Sequence, residues 1–302
     1  MSISRTALLA VVVALARLAG AVDLNDPLDG CPDAVRAIAE NKNVFNSTGE
    51  TSFRLQPGQP DDWYLALTFR DEREQNALYG SSQNRQTLGV IVSVPESLPG
   101  SDAGKQTSLC VYRLAQQDAA ANNEQASCSG VVSDECIKAL NSVPAPSDGS
   151  SCPVPDISGA CGDAKLVGST TTPLVFNNTL CSTNATIPGS DAIPDGYQSY
   201  VTFASGQLNR SDDSRSSYTV YNEHIVRPAP ILITAKFGGL ANSTTASSTQ
   251  SKLLCLSPSK VVKGSRTAVV NSGGAAAAAA NLGAAKPVLL IAVLSSVLAL
   301  AL

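Results

Sequence analysis

Residues 63–69 read WYLALTF, and the alternation of their side chains indicates a β-strand. Successive side chains of a β-strand point to opposite faces. The large apolar side chains of this segment therefore share one face, and they are Trp63, Leu65, Leu67 and Phe69. The same period of two recurs in residues 87–94, 110–114, 197–203, 217–226 and 231–237. Turn-rich stretches such as Gln56–Asp62 and Pro95–Gly104 separate these runs, so the chain is expected to be mainly β and to form a β-sandwich.

Two short segments follow a helical pattern instead. Asp33–Lys42 places its apolar side chains on one helical face, and Ser133–Leu140 begins with a capping serine followed by two acidic residues. Residues 115–181, rich in Ser, Gly, Pro and Asn, are expected to form an irregular Cys-rich insertion. Residues 23–115 and 165–256 fit either one sandwich or two small β-domains, and we expect one sandwich.

The first 21 residues have the organisation of a secretory signal peptide. Arg5 supplies the positive charge, Ala7–Ala16 the apolar stretch, and Ala19-Gly20-Ala21 the small residues of a cleavage site. We expect a mature chain that begins at Val22 and a secreted β-rich ectodomain that spans residues 22–256.

The C-terminal sequence predicts a glycosylphosphatidylinositol (GPI) anchor. Pro287–Leu302 is uncharged and apolar but shorter than the ~20 residues of a spanning helix, and neither Lys nor Arg follows it. A spacer and a small-residue cluster precede it, as in a GPI signal. We expect a short stalk over 257–272, attachment at Ser272 (or at Asn271 or Gly273), and removal of 273–302. A tail-anchored helix is the alternative.

Charge argues against a nucleic-acid partner. The chain has 21 basic and 25 acidic residues, a formal net charge of −4. Loss of both ends removes Arg5, Arg17 and Lys286 and no acidic residue, so the net charge becomes −7. Nucleic acids and anionic lipids attract clustered Lys and Arg. We therefore expect contact with the membrane only through the lipid anchor.

Cysteine usage fits an oxidising compartment. The even number of cysteines predicts four disulfides in a secreted chain. Cys128–Cys136 and Cys152–Cys161 are plausible local pairs, although the pairing is open. The eight cysteines are Cys31, Cys110, Cys128, Cys136, Cys152, Cys161, Cys181 and Cys255.

Candidate N-glycosylation sites agree with secretion. Each site is an asparagine followed, two positions later, by Ser or Thr, with no intervening proline. The five asparagines are Asn46, Asn177, Asn184, Asn209 and Asn242.

The sequence contains few of the residues and motifs that histidine-dependent catalysis or metal binding requires. A Ser–His–Asp hydrolase needs a histidine base, and His224 is the only histidine. It falls at a predicted strand end, on the same face as Tyr218 and Val220, where we expect its polar tip to meet solvent. The sequence contains no C-x-x-C, P-loop, Rossmann fingerprint or H-E-x-x-H motif, so we expect neither cofactor nor metal.

The acidic residues around Trp63 are compatible with a carbohydrate-active enzyme. Glycosidases use two carboxyl groups about 5–9 Å apart, and Trp63 is a candidate to stack on a sugar. The alternative is that these acids are solvated turn residues. The acids concerned are Asp61, Asp62, Asp71, Glu72 and Glu74.

The combination of signal peptide, GPI tail, sequons and dispersed cysteines resembles the GPI-anchored surface glycoproteins of filamentous fungi. The resemblance concerns the terminal signals and the composition, and it assigns no ectodomain family. Hydrophobins have adjacent cysteine pairs and the compact fungal CFEM module has clustered cysteines, and this chain has neither arrangement.

These observations lead to three functional hypotheses. The leading one is a GPI-anchored cell-surface or cell-wall glycoprotein with a structural or binding role and no catalysis. The second is a carbohydrate-active or wall-remodelling enzyme that uses the acids near Trp63. The third is an ectodomain subunit of a membrane complex. Cell-wall polysaccharide and surface proteins are the candidate partners.

Overall fold

The computed structural model describes residues 31–269 except 32, 41, 43–44, 57–58, 73–84, 147–150, 178, 180, 206–217 and 239–246. Two antiparallel sheets form a sandwich. Sheet A has the order β11-β1-β2-β3-β8-β7, with β1 Ser47–Phe53, β2 Trp63–Glu72, β3 Arg85–Pro95, β7 Ser182–Thr183, β8 Tyr197–Ser205 and β11 Lys260–Val261. Sheet B has the order β10-β9-β4-β5, with β6 also paired to β4, and consists of β4 Thr107–Leu114, β5 Leu166–Ser169, β6 Leu174–Val175, β9 Ala229–Phe237 and β10 Ser248–Leu256.

The central core lies between the two sheets and confirms the period-two pattern of residues 63–69 and 87–94. The predicted inward faces of 63–69 and 87–94 are fully or almost fully buried in it, together with residues from β4, β9 and β10. Strands from the two halves of the chain pair within both sheets, β3 with β8 and β4 with β9. The halves therefore form one sandwich rather than two domains.

The outer face of sheet B is covered by the Cys-rich insertion. Cys110, Tyr112 and Leu114 of β4 point to this side, whereas Leu109 and Val111 face the central core. The insertion contributes Leu140 and several cysteines to this second cluster. The insertion is not wholly irregular, because it contains a helix as well as β5 and β6.

The outer face of sheet A is covered in part by the N-terminal helix. Ile38 of this helix, Ile187 of the loop before β8 and Val262 after β11 pack with Ala66 and Ile91 of the sheet in a third apolar cluster. This layer covers a face that the alternation of β2 and β3 leaves partly apolar.

Two of the four helices in the described residues confirm the helical predictions. Helix α1, Asp33–Ala39, lies within the predicted segment, and α3, Asp134–Asn141, begins after Ser133, whose Oγ accepts a hydrogen bond from the Cys136 N–H at 3.1 Å. Helix α2, Asp102–Lys105, is a single turn before β4. Among the described residues no helix is long and apolar enough to cross a membrane.

The fourth helix corrects a strand prediction. Residues 217–226 were expected to be extended, but Thr219–His224 form α4. The side chains of Val220 and Tyr221 in this helix are buried, and so is that of Ile225, which follows the helix. Tyr221 and Ile225 are four residues apart, as on one face of a helix, so the helical period takes precedence over the short alternation of Tyr218 and Val220.

All eight cysteines form disulfides, as predicted. The pairs are Cys31–Cys181, Cys110–Cys152, Cys128–Cys255 and Cys136–Cys161. The two local pairs considered from sequence are wrong. Helix α3 turns Cys136 into the second cluster towards Cys161, while Cys128 lies beside β10, where the Cys255 N–H donates to the Ala126 carbonyl at 2.9 Å.

Residues 257–269, expected to belong to a stalk, pack against the sandwich instead. Strand β11 pairs with β1, and a Cβ atom at Gly49 would overlap the Ser257 carbonyl group. Further along, the Tyr221 hydroxyl donates to the Arg266 carbonyl, and the Val269 N–H donates to Asn222 Oδ1 at 3.1 Å. Residues 271–273, with the candidate anchor positions, lie outside the described residues.

Candidate functional site

A cavity of about 340 Å³ opens at one end of the sandwich. This is the end at which β2 and β4 begin and β3 and β9 finish. The two turn-rich segments around it meet there because β2 and β3 are antiparallel neighbours. The cavity is lined by Gln56, Gln59, Pro60, Asp61, Trp63, Pro95, Ser97, Leu98, Ser101, Ala103, Thr107 and Phe237.

Aromatic side chains form the floor of the cavity. The Trp63 ring is only 4% exposed, and it packs against Phe53, Phe176 and Phe237 with centroid separations of 6.3, 5.6 and 6.2 Å. Trp63 therefore does not present a ring face at the protein surface, which disagrees with the alternative in which this ring stacks on a sugar. Trp63 nevertheless belongs to the lining of the cavity.

The rim of the cavity is more polar and more exposed than its floor. Pro60, Asp61, Ser97 and Ala103 are exposed, whereas Thr107 is buried. The Gln59 side chain fixes the rim, because its Oε1 accepts from the N–H groups of Leu55 and Gln56 and its Nε2 donates to the Asp61 carbonyl at 2.7 Å.

The acids near Trp63 do not converge. Asp61 lines the cavity, while Asp62 pairs with Arg54, whose Nε lies 2.5 Å from Asp62 Oδ1. Asp71 is at the far end of β2, about 30 Å from Asp62 at ~3.3 Å per residue. There its N–H donates to Asn46 Oδ1 at 2.7 Å. The Glu72 side chain and Glu74 lie outside the described residues.

A partly exposed aromatic pair lies on the outer face of sheet A. Tyr64 and Tyr197 meet edge to face with a centroid separation of 5.1 Å, and the Tyr197 hydroxyl donates to the Asp62 carbonyl at 2.8 Å. Partial burial raises the pKa of both phenols, and nearby negative charges, including that of Asp62, raise it further. Both phenols therefore stay protonated at neutral pH.

His224 ends helix α4 rather than a strand, and its Nδ1 bonds to the Gln116 side chain. Gln116 Nε2 donates to the carbonyls of His224 and Arg227 at 2.7 and 2.6 Å, so Gln116 Oε1 is left to accept from His224 Nδ1 at 2.5 Å. This arrangement assigns the proton to Nδ1.

The electrostatic surroundings make His224 a poor base. Burial lowers its pKa to about 4, and the positive charges of Arg227 and Arg113 act in the same direction. The buried Arg113 guanidinium has its own pKa lowered to about 10 by burial. A neutral histidine of such low basicity gives little general-base catalysis at neutral pH.

Three of the five candidate glycosylation sites fall on described residues. Asn177 and Asn184 are exposed. Asn46 is partly buried where β1 begins, and its backbone N–H and carbonyl bond to Phe69 and Val262. Asn209 and Asn242 lie outside the described residues.

Of the residues that line the cavity, only Asp61 and Trp63 were predicted from the sequence as candidate site residues. Leu98, Ser101 and Phe237, which come from segments distant in the chain, were not predicted. The available signal was the placement of Gln56–Asp62 and Pro95–Gly104 at the ends of two neighbouring alternating runs.

The described residues hold no cluster of His, Cys, Asp and Glu that would bind a metal ion. Comparison of the chain with protein families, curated proteins and solved structures gave no match.

Proposed function

We propose that the protein is a GPI-anchored glycoprotein of the cell surface or cell wall, with a structural or binding role and no catalysis. The observation that carries this proposal is the pairing of all eight cysteines in four disulfides. Two of them join strands of sheet B to the insertion, one lies within the insertion, and one joins the N-terminal segment to the residue before β7. Disulfides of this density form in the secretory pathway and persist outside the cell. The signal sequence and the GPI pattern of the two termini agree with that compartment.

The glycan sites support the same assignment. Asn177 and Asn184 are exposed on the loops around β6 and β7. A glycan on either would extend into solvent without displacing a packed side chain. The terminal signals and the composition resemble those of GPI-anchored surface glycoproteins of filamentous fungi.

The positions of the acids favour a role without catalysis over a glycosidase. Asp61 and Asp71 lie near opposite ends of the ten-residue strand β2, much farther apart than the ~5–9 Å between the two carboxyl groups of a glycosidase. Asp62, the neighbour of Asp61, is engaged by Arg54.

The anchor is tested on cells that express the full chain. We expect phosphatidylinositol-specific phospholipase C to release the protein from intact cells. A matched variant, Leu290→Arg with Val293→Arg, interrupts the apolar tail and should prevent anchoring, because the GPI signal requires an apolar tail. Recovery of peptides from Leu289–Leu302 in the mature surface protein would exclude the anchor.

A further inference from the structure

We propose that the cavity at the Trp63 end of the sandwich binds a compact, mainly apolar molecule that carries a hydroxyl or ammonium donor and no negative charge. This inference goes beyond the proposed function and does not depend on the lipid anchor. It rests on the size of the cavity, its apolar floor and the hydrogen-bonding groups that its rim leaves available.

The volume selects a small ligand. About 340 Å³ is at the lower end of the range for ligand pockets. An engineered apolar cavity of about 150 Å³ in another protein binds benzene. A cavity of roughly twice that volume suits a molecule with two fused rings or a compact cage.

The floor favours an apolar body. Trp63 lines the cavity and packs against Phe176, while Leu98 and Phe237 form partly buried walls. Transfer of a hydrocarbon surface from water onto these groups is favourable. An apolar ligand body therefore gains free energy from the floor alone.

The rim offers acceptors more than donors. Four lining side chains already donate one hydrogen bond each to the protein: Gln56 to Ser248 Oγ, Gln59 to the Asp61 carbonyl, Ser101 to the Leu98 carbonyl and Thr107 to the Ala103 carbonyl. Among these side chains and Ser97, only the second amide hydrogens of the two glutamines and the Ser97 hydroxyl are left to donate. By contrast, within the described part of the chain neither the Asp61 carboxylate nor the Ser97 hydroxyl makes a hydrogen bond. A ligand that donates therefore finds a partner in Asp61.

The charge of the lining excludes anions. Asp61 is the only ionisable side chain among the lining residues, and no Lys or Arg joins it there. A ligand carboxylate would lose water, meet a like charge and find no cation to compensate it. An ammonium group would gain the opposite interaction.

The same inventory disfavours sugars. Each sugar hydroxyl that leaves water needs a new partner, and the rim provides few. The cavity is thus distinct from any surface at which the protein contacts polysaccharide.

Three ligands of one shape test the proposal, since only their polar group differs: 1-adamantanemethanol, 1-adamantanemethylamine and 1-adamantanecarboxylate. Binding to the purified protein is measured by calorimetry. The emission of Trp63 reports the location, because the chain contains a single tryptophan. We expect the alcohol and the amine to bind and to shift this emission, and the carboxylate to bind at least about tenfold more weakly.

Variants at the rim separate charge from space. Asp61→Asn should remove the higher affinity of the amine relative to the alcohol. It should also reduce the difference in affinity between the alcohol and the carboxylate. Asp62→Asn is the matched control, since Asp62 is paired with Arg54 and does not line the cavity. Ala103→Leu, at an exposed lining residue, should fill the cavity and weaken binding of the alcohol at least about tenfold, with an unchanged near-ultraviolet circular dichroism spectrum.

Several results would overturn the proposal. They are equal binding of the carboxylate and the alcohol to the unmodified protein, absence of binding by all three ligands, undiminished binding by folded Ala103→Leu, and tighter binding of glucose than of the alcohol. None of these results bears on the anchor, which phospholipase release tests separately.

Discussion

Trp63 and Tyr64 are consecutive in β2 and pack on opposite sides of sheet A. The Trp63 ring lies 5.6 Å from that of Phe176 in the central core, and the Tyr64 ring lies 5.1 Å from that of Tyr197 on the outer face. The alternation of a strand imposes this opposition. The tryptophan that looked suited to a sugar is therefore a core residue, and its neighbour is the aromatic side chain that solvent contacts.

The opposition of these two rings predicts unequal effects on stability. Trp63→Ala should lower the free energy of unfolding by roughly 3–5 kcal/mol, because it leaves a large void among three aromatic rings. Tyr64→Ala, at a partly exposed site, should cost about 1 kcal/mol. Urea denaturation of the two variants measures the difference, and equal costs would contradict the placement of Trp63.

The disulfides predict a dependence on loop length. Removal of Cys128–Cys255, with a sequence separation of 127, should cost more than removal of Cys136–Cys161, with a separation of 25. All four cysteines are similarly buried, so the chain-entropy term dominates the comparison and amounts to about 1.4 kcal/mol. Paired serine variants of each bridge, unfolded in urea, provide the measurement. A larger loss for the shorter loop would refute the entropic account.

The pairing itself can be checked without mutagenesis. Peptide mapping of the unreduced protein should recover the cross-linked peptides Cys31–Cys181, Cys110–Cys152, Cys128–Cys255 and Cys136–Cys161. Alkylation in denaturant without reductant should label no thiol. Either a Cys128–Cys136 or a Cys152–Cys161 peptide would contradict the structure.

Local patterns in the sequence predicted individual strands of the fold, but they did not predict the contacts between distant segments. The period of two in 63–69 and 87–94 identified β2, β3 and their buried faces, because side-chain direction in a strand is a local property. The disulfide pairing and the approach of Phe237 to Trp63 depend on which strands become neighbours, and no short segment encodes this. The strand assignment of 217–226 failed because a short alternating run and one helical turn share the same apolar residues.

The candidate site was predictable only in part. The sequence indicated Asp61 as a candidate acid because it precedes Trp63 by two positions, but the role suggested for it needed a second carboxylate nearby. The length of β2 keeps Asp71 at the other end of the sandwich. The cavity arises instead where two turn-rich segments meet the end of β9, a juxtaposition that exists only in the folded chain.

Glycan occupancy is expected at the exposed sites. We predict that Asn177 and Asn184 carry N-glycans, because both side chains are open to solvent in the folded protein. Enzymatic deglycosylation in ¹⁸O-labelled water marks each occupied asparagine as a labelled aspartate in mass spectrometry. Unlabelled asparagine at both positions in secreted material would contradict this prediction.

His224 provides a pH-dependent test of its partly buried contact with Gln116. Burial lowers the pKa of folded His224 to about 4, whereas the unfolded chain has an ordinary value of about 6.5. Between these values the unfolded state binds more protons than the folded state, so stability is full above about pH 6.5 and is lost progressively as the pH falls towards 4. The loss attributable to His224 is on the order of 1–3 kcal/mol.

His224→Gln keeps a side-chain donor for Gln116 Oε1 but has no ionisable group. Urea denaturation at pH 7.5 and pH 4.5 should therefore show a smaller loss for the variant, and the difference isolates His224 because it is the only histidine and the carboxylates are common to both proteins. Parallel losses in the two proteins would show that His224 is not neutral and buried as described.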